Sequence, residues 1–200
     1  MNDATQFFNT AGGAGYEIER SLRFNSSDSA YLSRTPASAS NRRTFTWSGW
    51  IKRSKLALDG CRLFVAEASG TDIFLIRLQT ADVLNVVYYN GTNYGFLTVP
   101  VYRDVSAWYH IVVSIDTTQA TASDRFKLYV NGSRVTTLTN LGDIPQNTDL
   151  PVNNTVPHAI GNGGGNYYDG YLADIHFIDG AALDPTSFGE FDDNGIWQPI

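Results

Sequence analysis

Asp174, His176 and Asp179 sit in "DIHFID" at spacings of two and three residues. Two carboxylates flanking a sugar bond are what glycoside hydrolysis requires: one protonates the leaving oxygen, the other attacks or activates water. Here a His stands between two short Asp arms, and Asp179 precedes Gly180 as a turn residue does. A solvated strand residue and a turn Asp fit better than a catalytic pair. Other chemistries fall away more simply. His110, His158 and His176 are isolated, and no Cys/His pairing offers the ligands of a zinc site. No G-x-S-x-G turn occurs, and Ser48 in "TWSGW" lies inside an alternating segment rather than at an elbow. The single cysteine, Cys61, opens the strand-like "CRLFV" and reads as a small buried apolar residue.

The glycine-rich stretch "GNGGGNYYDG", residues 161–170, raises three further possibilities. A phosphate cradle needs a helix after its glycines, so that free N–H groups and the helix dipole meet the anion. The following "YLADIHFID" alternates like a strand instead, and no Lys follows the glycines. A carbohydrate rim needs aromatic faces with short amide and hydroxyl side chains. This loop offers Asn162, Asn166, Tyr167, Tyr168 and Asp169, and "YYNGTNYG" offers Tyr89, Asn90, Asn93 and Tyr94. Asp169 with the loop carbonyls is also a hard-oxygen set suited to calcium; no other cofactor is implied. The same residue types serve equally as plain turn residues, and then the glycines only permit a tight reversal that leaves Tyr167 and Tyr168 projecting.

The elements that must carry these loops are strands. "RTFTWSGWIKR" sets Phe45, Trp47, Gly49 and Ile51 against Thr46, Ser48, Trp50 and Lys52, a period of two. "YHIVVSID" does the same with Ile111, Val113 and Ile115 against His110, Ser114 and Asp116. "RFKLYVNGSRVTTLT" places two such runs around Asn131-Gly132, a pair suited to a two-residue hairpin turn. A second hairpin surrounds Asn90 to Asn93. "GYLADIHFID" is expected to alternate throughout, with Leu172, Asp174, His176 and Ile178 on one side. The only helical signal is a single turn at "DPTSFGEF", with Asp184 as N-cap and Pro185 at the first helical position. About a dozen strands without a dividing linker predict one all-β domain, a two-sheet antiparallel jelly-roll sandwich over residues 18–200. Residues 1–17, with Gly12, Gly13 and Gly15, are expected to form a flexible N-terminal arm and a possible anchor.

Composition narrows the partners. Of 200 residues, 17% are charged and 13% aromatic, with a net charge of −6. Duplex nucleic acid needs clustered Lys and Arg, and the densest basic run, Asn41 to Lys55, lies in alternating strands that scatter it. No apolar run approaches the roughly 18 residues of a membrane helix, and the N-terminus lacks the basic start and apolar stretch of a secretory signal. The expectation is a protein without nucleic-acid binding or membrane insertion.

The order of segments resembles a known superfamily. "SLRF", "FTWSGWI", "WYHIVVSI", "LYVNG" and "GYLADI" fall at Leu22 to Phe24, Phe45 to Ile51, Trp108 to Ile115, Leu128 to Gly132 and Gly170 to Ile175. Together they resemble the concanavalin A-like lectin/glucanase superfamily in its laminin G-like branch. "YRDVSAWYHIVVSIDTTQATASDRFKLYVNG" and "GEFDDNGIWQPI" are further similar to the form of this domain found in structural proteins of tailed bacteriophages. The resemblance implies a non-enzymatic virion protein, as tail or head fibre or as capsid decoration. It would assemble in the host cytoplasm and leave by lysis. Its implied partners are other virion proteins, further copies of itself and host-surface polysaccharide. A purely structural cementing role is the alternative, and a glycoside hydrolase of the same fold is a third reading; the glucanases of this fold carry Glu at both ends of the spacing where this chain has Asp174 and Asp179. No calcium-ligand pattern and no binding site transfer from the resemblance.

Overall fold

The computed structural model describes residues 17–200. The expected N-terminal arm therefore lies outside the described residues, except for Glu17. The strands in chain order are β1 (Leu22–Phe24), β2 (Leu32–Arg34), β3 (Thr44–Arg53), β4 (Cys61–Ser69), β5 (Asp72–Leu78), β6 (Val83–Tyr89), β7 (Asn93–Val101) and β8 (Tyr109–Asp116). They continue as β9 (Phe126–Val130), β10 (Ser133–Arg134), β11 (Leu138–Gly142), β12 (His158–Ile160), β13 (Gly170–Asp179), β14 (Gly189–Phe191) and β15 (Trp197–Pro199). Six of them form one sheet in the order β1-β13-β3-β8-β9-β10, and seven form a second in the order β11-β7-β6-β5-β4-β12-β2. All pairings are antiparallel, as the jelly-roll expectation requires. No helix among the described residues is long and apolar enough to cross a membrane.

The core lies between the two sheets, and the sequence alternation builds it. Phe45, Trp47 and Ile51 of β3, Ile111, Val113 and Ile115 of β8, and Phe74, Ile76 and Leu78 of β5 are all fully buried. Phe74 meets the Phe45 ring edge-on at 5.5 Å, and Phe177 stacks on Phe45 at the same distance. Each such side chain contributes roughly 1.5–3 kcal/mol on leaving water. At the β9–β10 turn Asn131 and Gly132 take φ of 48° and 75°, the left-handed pair that a two-residue hairpin needs. The expected single turn also forms at Pro185–Ser187, with the Asp184 carboxylate accepting from the Thr186 N–H at 3.0 Å.

One strand departs from its expected phase. Between Ala173 and His176, β13 slips against β3, so that Asp174 and Ile175 together oppose Gly49. Asp174 takes φ of 50° in this bulge. Leu172 points into the core before it, and Ile175 and Phe177 point in after it. The uniform alternation expected for "GYLADIHFID" is therefore broken, because the extra residue switches the faces halfway along.

One ion pair lies deep inside. Arg53, 1% exposed, donates from Nη2 to Asp82 Oδ1 at 2.8 Å and from Nη1 to the Tyr102 carbonyl at 2.6 Å. Asp82 also accepts from Arg103 at 3.0 Å, so this buried ion pair pins the start of β6 to the ends of β3 and β7.

Candidate functional site

The glycine-rich loop leaves β12 and passes over the start of β4. Tyr168 and Asp169 end it, and neither projects. The Tyr168 side chain is fully buried, meets the Phe24 ring edge-on at 6.3 Å and donates its hydroxyl to the Lys52 carbonyl at 2.9 Å. The expectation that it stands free for a ligand is corrected: the loop turns inward at Gly161, whose N–H donates to Leu63, and carries the ring under Phe24. Asp169 is also corrected as a ligand residue. Its side chain is 1% exposed, ion-paired with Arg23 at 2.9 Å and Lys55 at 3.3 Å, and accepts from the Ser26 N–H and hydroxyl at 3.1 and 2.7 Å. Burial opposes ionisation, but the Ser26, Arg23 and Lys55 donors outweigh it and hold the carboxyl down at about 2. A calcium ion at Asp169 would have to displace two cations, so the calcium reading loses its only carboxylate.

The remaining loop residues divide. Tyr167 is half-buried and tilts against Tyr31, which is 49% exposed, with centroids 6.3 Å apart. Asn166 packs over Gly60. Asn162 keeps a buried Oδ1 without a hydrogen-bond partner. Gly163 is required by Arg62: a Cβ there would stand 2.3 Å from its Nη1 and 2.6 Å from its Cδ. Bare backbone thus lies flat on the guanidinium.

The second loop does not join the first. Asn90 and Asn93 are exposed at the β6–β7 turn, while Tyr94 stacks on Tyr88 at 6.2 Å and packs on the core. Register places the two loops at opposite ends of the seven-stranded sheet: Arg62, Arg77 and Asn85 pair across β4, β5 and β6 beside the glycine loop, and Glu67, Ile73 and Tyr89 pair across the same strands beside Asn90. Between them lies the outer face of the sheet. Val65, Leu75 and Val87 form its floor, 3%, 5% and 2% exposed although they face away from the main core.

On that face Arg77 donates from Nε to Asn85 Oδ1 at 2.8 Å, and the fully buried Asn85 donates on to the Phe96 carbonyl at 2.9 Å. Arg62 has Nε and Nη1 buried with no partner, and its nearest carboxylate oxygen, on Glu67, is 3.9 Å away. Leaving such donors unpaired costs about 1–3 kcal/mol each. Burial lowers the pKa of both guanidinium groups. Sequence reasoning passed over Arg62, Arg77 and Asn85, although single arginines inside the apolar runs "CRLFV" and "DIFLIRL" were the available signal.

The outer face of the six-stranded sheet is covered around His110. The β14–β15 hairpin lays Trp197 over His110 at a centroid distance of 5.9 Å, and Trp50 stacks on the other side at 4.8 Å. The Trp197 indole N–H donates to His110 Nδ1 at 3.0 Å, and Nε2 lies 2.8 Å from Ser48 Oγ. An indole can only donate, so the ring proton sits on Nε2 and points at Ser48. A histidine held this way is no base for that hydroxyl. Burial draws His110 down to about 4. Among the described residues Asp174 has one charge partner, His176, at 3.3 Å. The Asp179 carboxylate is taken up by the Asn41 N–H at 3.2 Å and by Asn153 Nδ2 at 2.8 Å, the turn role its sequence context suggests. His158 is held by the Val156 carbonyl at 2.8 Å and the Asn153 N–H at 3.0 Å. Cys61 is buried, and burial pushes its thiol up to about 11. No group of three or more His, Cys, Asp or Glu among the described residues is placed to hold a metal ion.

A family model described as "Concanavalin A-like lectin/glucanases superfamily" matches residues 24–186. No curated protein sequence matches the chain. Among solved structures, domain 4 of AbnA, a GH43 extracellular arabinanase from Geobacillus stearothermophilus in complex with arabinotriose, superposes with a TM-score of 0.55 at 19% identity over 74% of this chain and 65% of that one. The CBM40 of the Ruminococcus gnavus IT-sialidase gives 0.52 at 12% identity, over 78% of this chain and 95% of that one. The Trypanosoma rangeli sialidase in complex with sialic acid gives 0.50 at 12% identity, over 72% of this chain but 22% of that one. The chain thus spans just under two thirds of the arabinanase domain and about a fifth of the Trypanosoma enzyme. At these identities the likeness is one of fold.

Proposed function

The chain belongs to the concanavalin A-like lectin/glucanases superfamily, and on that premise we propose that it is a non-enzymatic glycan-binding domain of a bacteriophage virion protein. The observation that carries the glycan reading is the outer face of the seven-stranded sheet. There Arg77 and Arg62 stand at one end and the half-buried Tyr89 at the other, with Val65, Leu75 and Val87 nearly buried between them. Sugars are bound by aromatic faces together with a few fixed polar groups for orientation, and Tyr89 and the two arginines are of these types. A domain of the same fold has been solved with arabinotriose, which lends support by analogy. The non-enzymatic reading is supported by His110, whose proton faces Ser48, and by Asp179, whose carboxylate is already bound. The virion setting rests on the resemblance of "YRDVSAWYHIVVSID" and "GEFDDNGIWQPI" to phage structural proteins.

A structural role in the particle has its own observation. Phe191, Ile196 and Ile200 of the C-terminal hairpin region are 52%, 63% and 51% exposed, apolar surface that a neighbouring virion protein or a second copy would cover.

An array of bacterial polysaccharides probed with the purified chain tests the proposal. Binding to a bacterial surface polysaccharide without release of reducing ends is the expected result. Sugar turnover that disappears in Asp174→Asn would overturn the non-enzymatic reading. A blank array from folded protein, with Ile196→Asp abolishing incorporation into particles, would replace glycan binding by the cementing role.

A further inference from the structure

Arg62 on β4, Arg77 on β5 and Asn85 on β6 stand directly side by side across three neighbouring strands. Like charges opposite one another on a sheet face repel, and here the offset is indirect: Asp59 acts on Arg77 through space, and Glu67 stands 3.9 Å from Arg62. Arg62 reaches no carboxylate oxygen closer than 3.9 Å, and Arg77 has no ion-pair partner among the described residues. The one hydrogen bond of Arg77 uses Nε, on Asn85, which leaves both terminal nitrogens without a protein partner among those residues. Arg62 holds two buried unpartnered nitrogens under Gly163, and the preceding residue, Asn162, has a buried unpartnered Oδ1. Two adjacent cations with free donors in a protein of net charge −6 are not general basicity. The nearly buried strip of Val65, Leu75 and Val87 begins beside them and ends at Tyr89.

We propose that this row recognises a carboxylate-bearing saccharide, a unit of an acidic polysaccharide. The inference rests on the glycan-binding reading above and names the class of glycan. A planar guanidinium presents parallel N–H groups that match the two oxygens of a carboxylate, and Asn85 fixes the Arg77 plane by holding Nε. The carboxylate neutralises the pair, while the rest of the saccharide runs over the sheet face toward Tyr89. The residues assigned to the ligand are Arg77 through its terminal nitrogens and Arg62 through Nη2, because Arg62 Nε and Nη1 are buried under the loop; Asn85 is a positioning residue.

The test titrates the full chain against alginate, polygalacturonate and polysialic acid, each beside the same polymer with its carboxylates reduced to alcohols, and against a phosphodiester-linked teichoic acid. Expected are binding to at least one acidic polymer, loss of about tenfold or more in affinity on carboxyl reduction, and a similar loss in Arg77→Gln. That variant removes one of two repelling charges and also the bond to Asn85, leaving Gln79 Nε2 at 3.3 Å on Asn85 Oδ1, so a small shift in melting temperature is expected. The reduced polymers keep the test independent of whether Arg62→Gln, under the glycine loop, still folds. Equal binding to native and reduced polymers would overturn the carboxylate assignment and leave the glycan reading standing. So would binding to teichoic acid without binding to any of the three carboxylated polymers. Absence of binding to any saccharide, neutral or acidic, would overturn both.

Discussion

Trp197 fixes the tautomer of His110: its indole N–H, 3.0 Å from Nδ1, leaves the ring proton on Nε2 facing Ser48 Oγ. The two residues are 87 positions apart, so the last strand of the chain determines the protonation geometry of an interior residue of β8. Trp197→Phe keeps an aromatic lid and removes the donor. It is expected to cost about 1–3 kcal/mol for the orphaned Nδ1, a drop of roughly 2–4 °C in melting temperature per kcal/mol for a domain of this size, read in a thermal melt at pH 7.

The same burial makes stability depend on pH. His110 protonates at about 4 in the folded protein against an ordinary value of 6.5, so between these values the unfolded chain binds more protons. Its contribution is whole above pH 6.5 and is lost as the pH falls to about 4, a change of about 3 kcal/mol. His158, also lowered by burial, acts in the same direction. Asp169 adds a separate loss below its ordinary 3.8, completed as the pH passes about 2. Urea unfolding at pH 7 and pH 4.5 should show the first loss, and His110→Gln should flatten it.

The two adjacent tyrosines should behave oppositely. Tyr168→Ala removes a fully buried ring and its bond to the Lys52 carbonyl, and is expected to cost about 3–5 kcal/mol. Tyr167→Ala trims a half-buried ring paired only with Tyr31 and should shift the melting temperature little. Paired melting curves decide this, and any loss of ligand binding in Tyr168→Ala must be read against its unfolding.

Asp82→Asn keeps a residue that tolerates the φ of 61° at this position but takes the charge away from buried Arg53. A cost of about 3 kcal/mol is expected, because an unpaired buried cation remains. Combining it with Arg53→Met should cost less than the sum of the two single changes, which a double-mutant cycle in urea measures.

Most of the sheet framework was legible because one face of each long strand is buried and the other is not. Phe45, Trp47 and Ile51 announce their inner face by spacing alone, and Asn131-Gly132 announces its turn by chemistry. The candidate site was far less legible. Nothing in "NYYDG" distinguishes the ring that turns inward from the ring that stays out; that choice is made by Phe24, about 140 residues earlier in the chain. Arg62 and Arg77 become neighbours only once the β4–β5 register is known. The cover on His110 was equally hidden, since Trp197 meets it through packing with no local signature.

The bulge in β13 has an arithmetic of its own. Without Asp174, the order Leu172, Ala173, Ile175, His176, Phe177 would alternate perfectly, each side chain on the face it now occupies, and Ile175 would oppose Gly49 one to one. The strand therefore contains a complete, uninterrupted message with one letter added. That letter neither fills the core nor completes the ladder; it gives the strand a left-handed joint and sets a carboxylate 3.3 Å from His176. A chain shortened by this one residue keeps Leu172, Ile175 and Phe177 facing inward, so the bulge in β13 and the Asp174–His176 contact are separable from the fold that holds them.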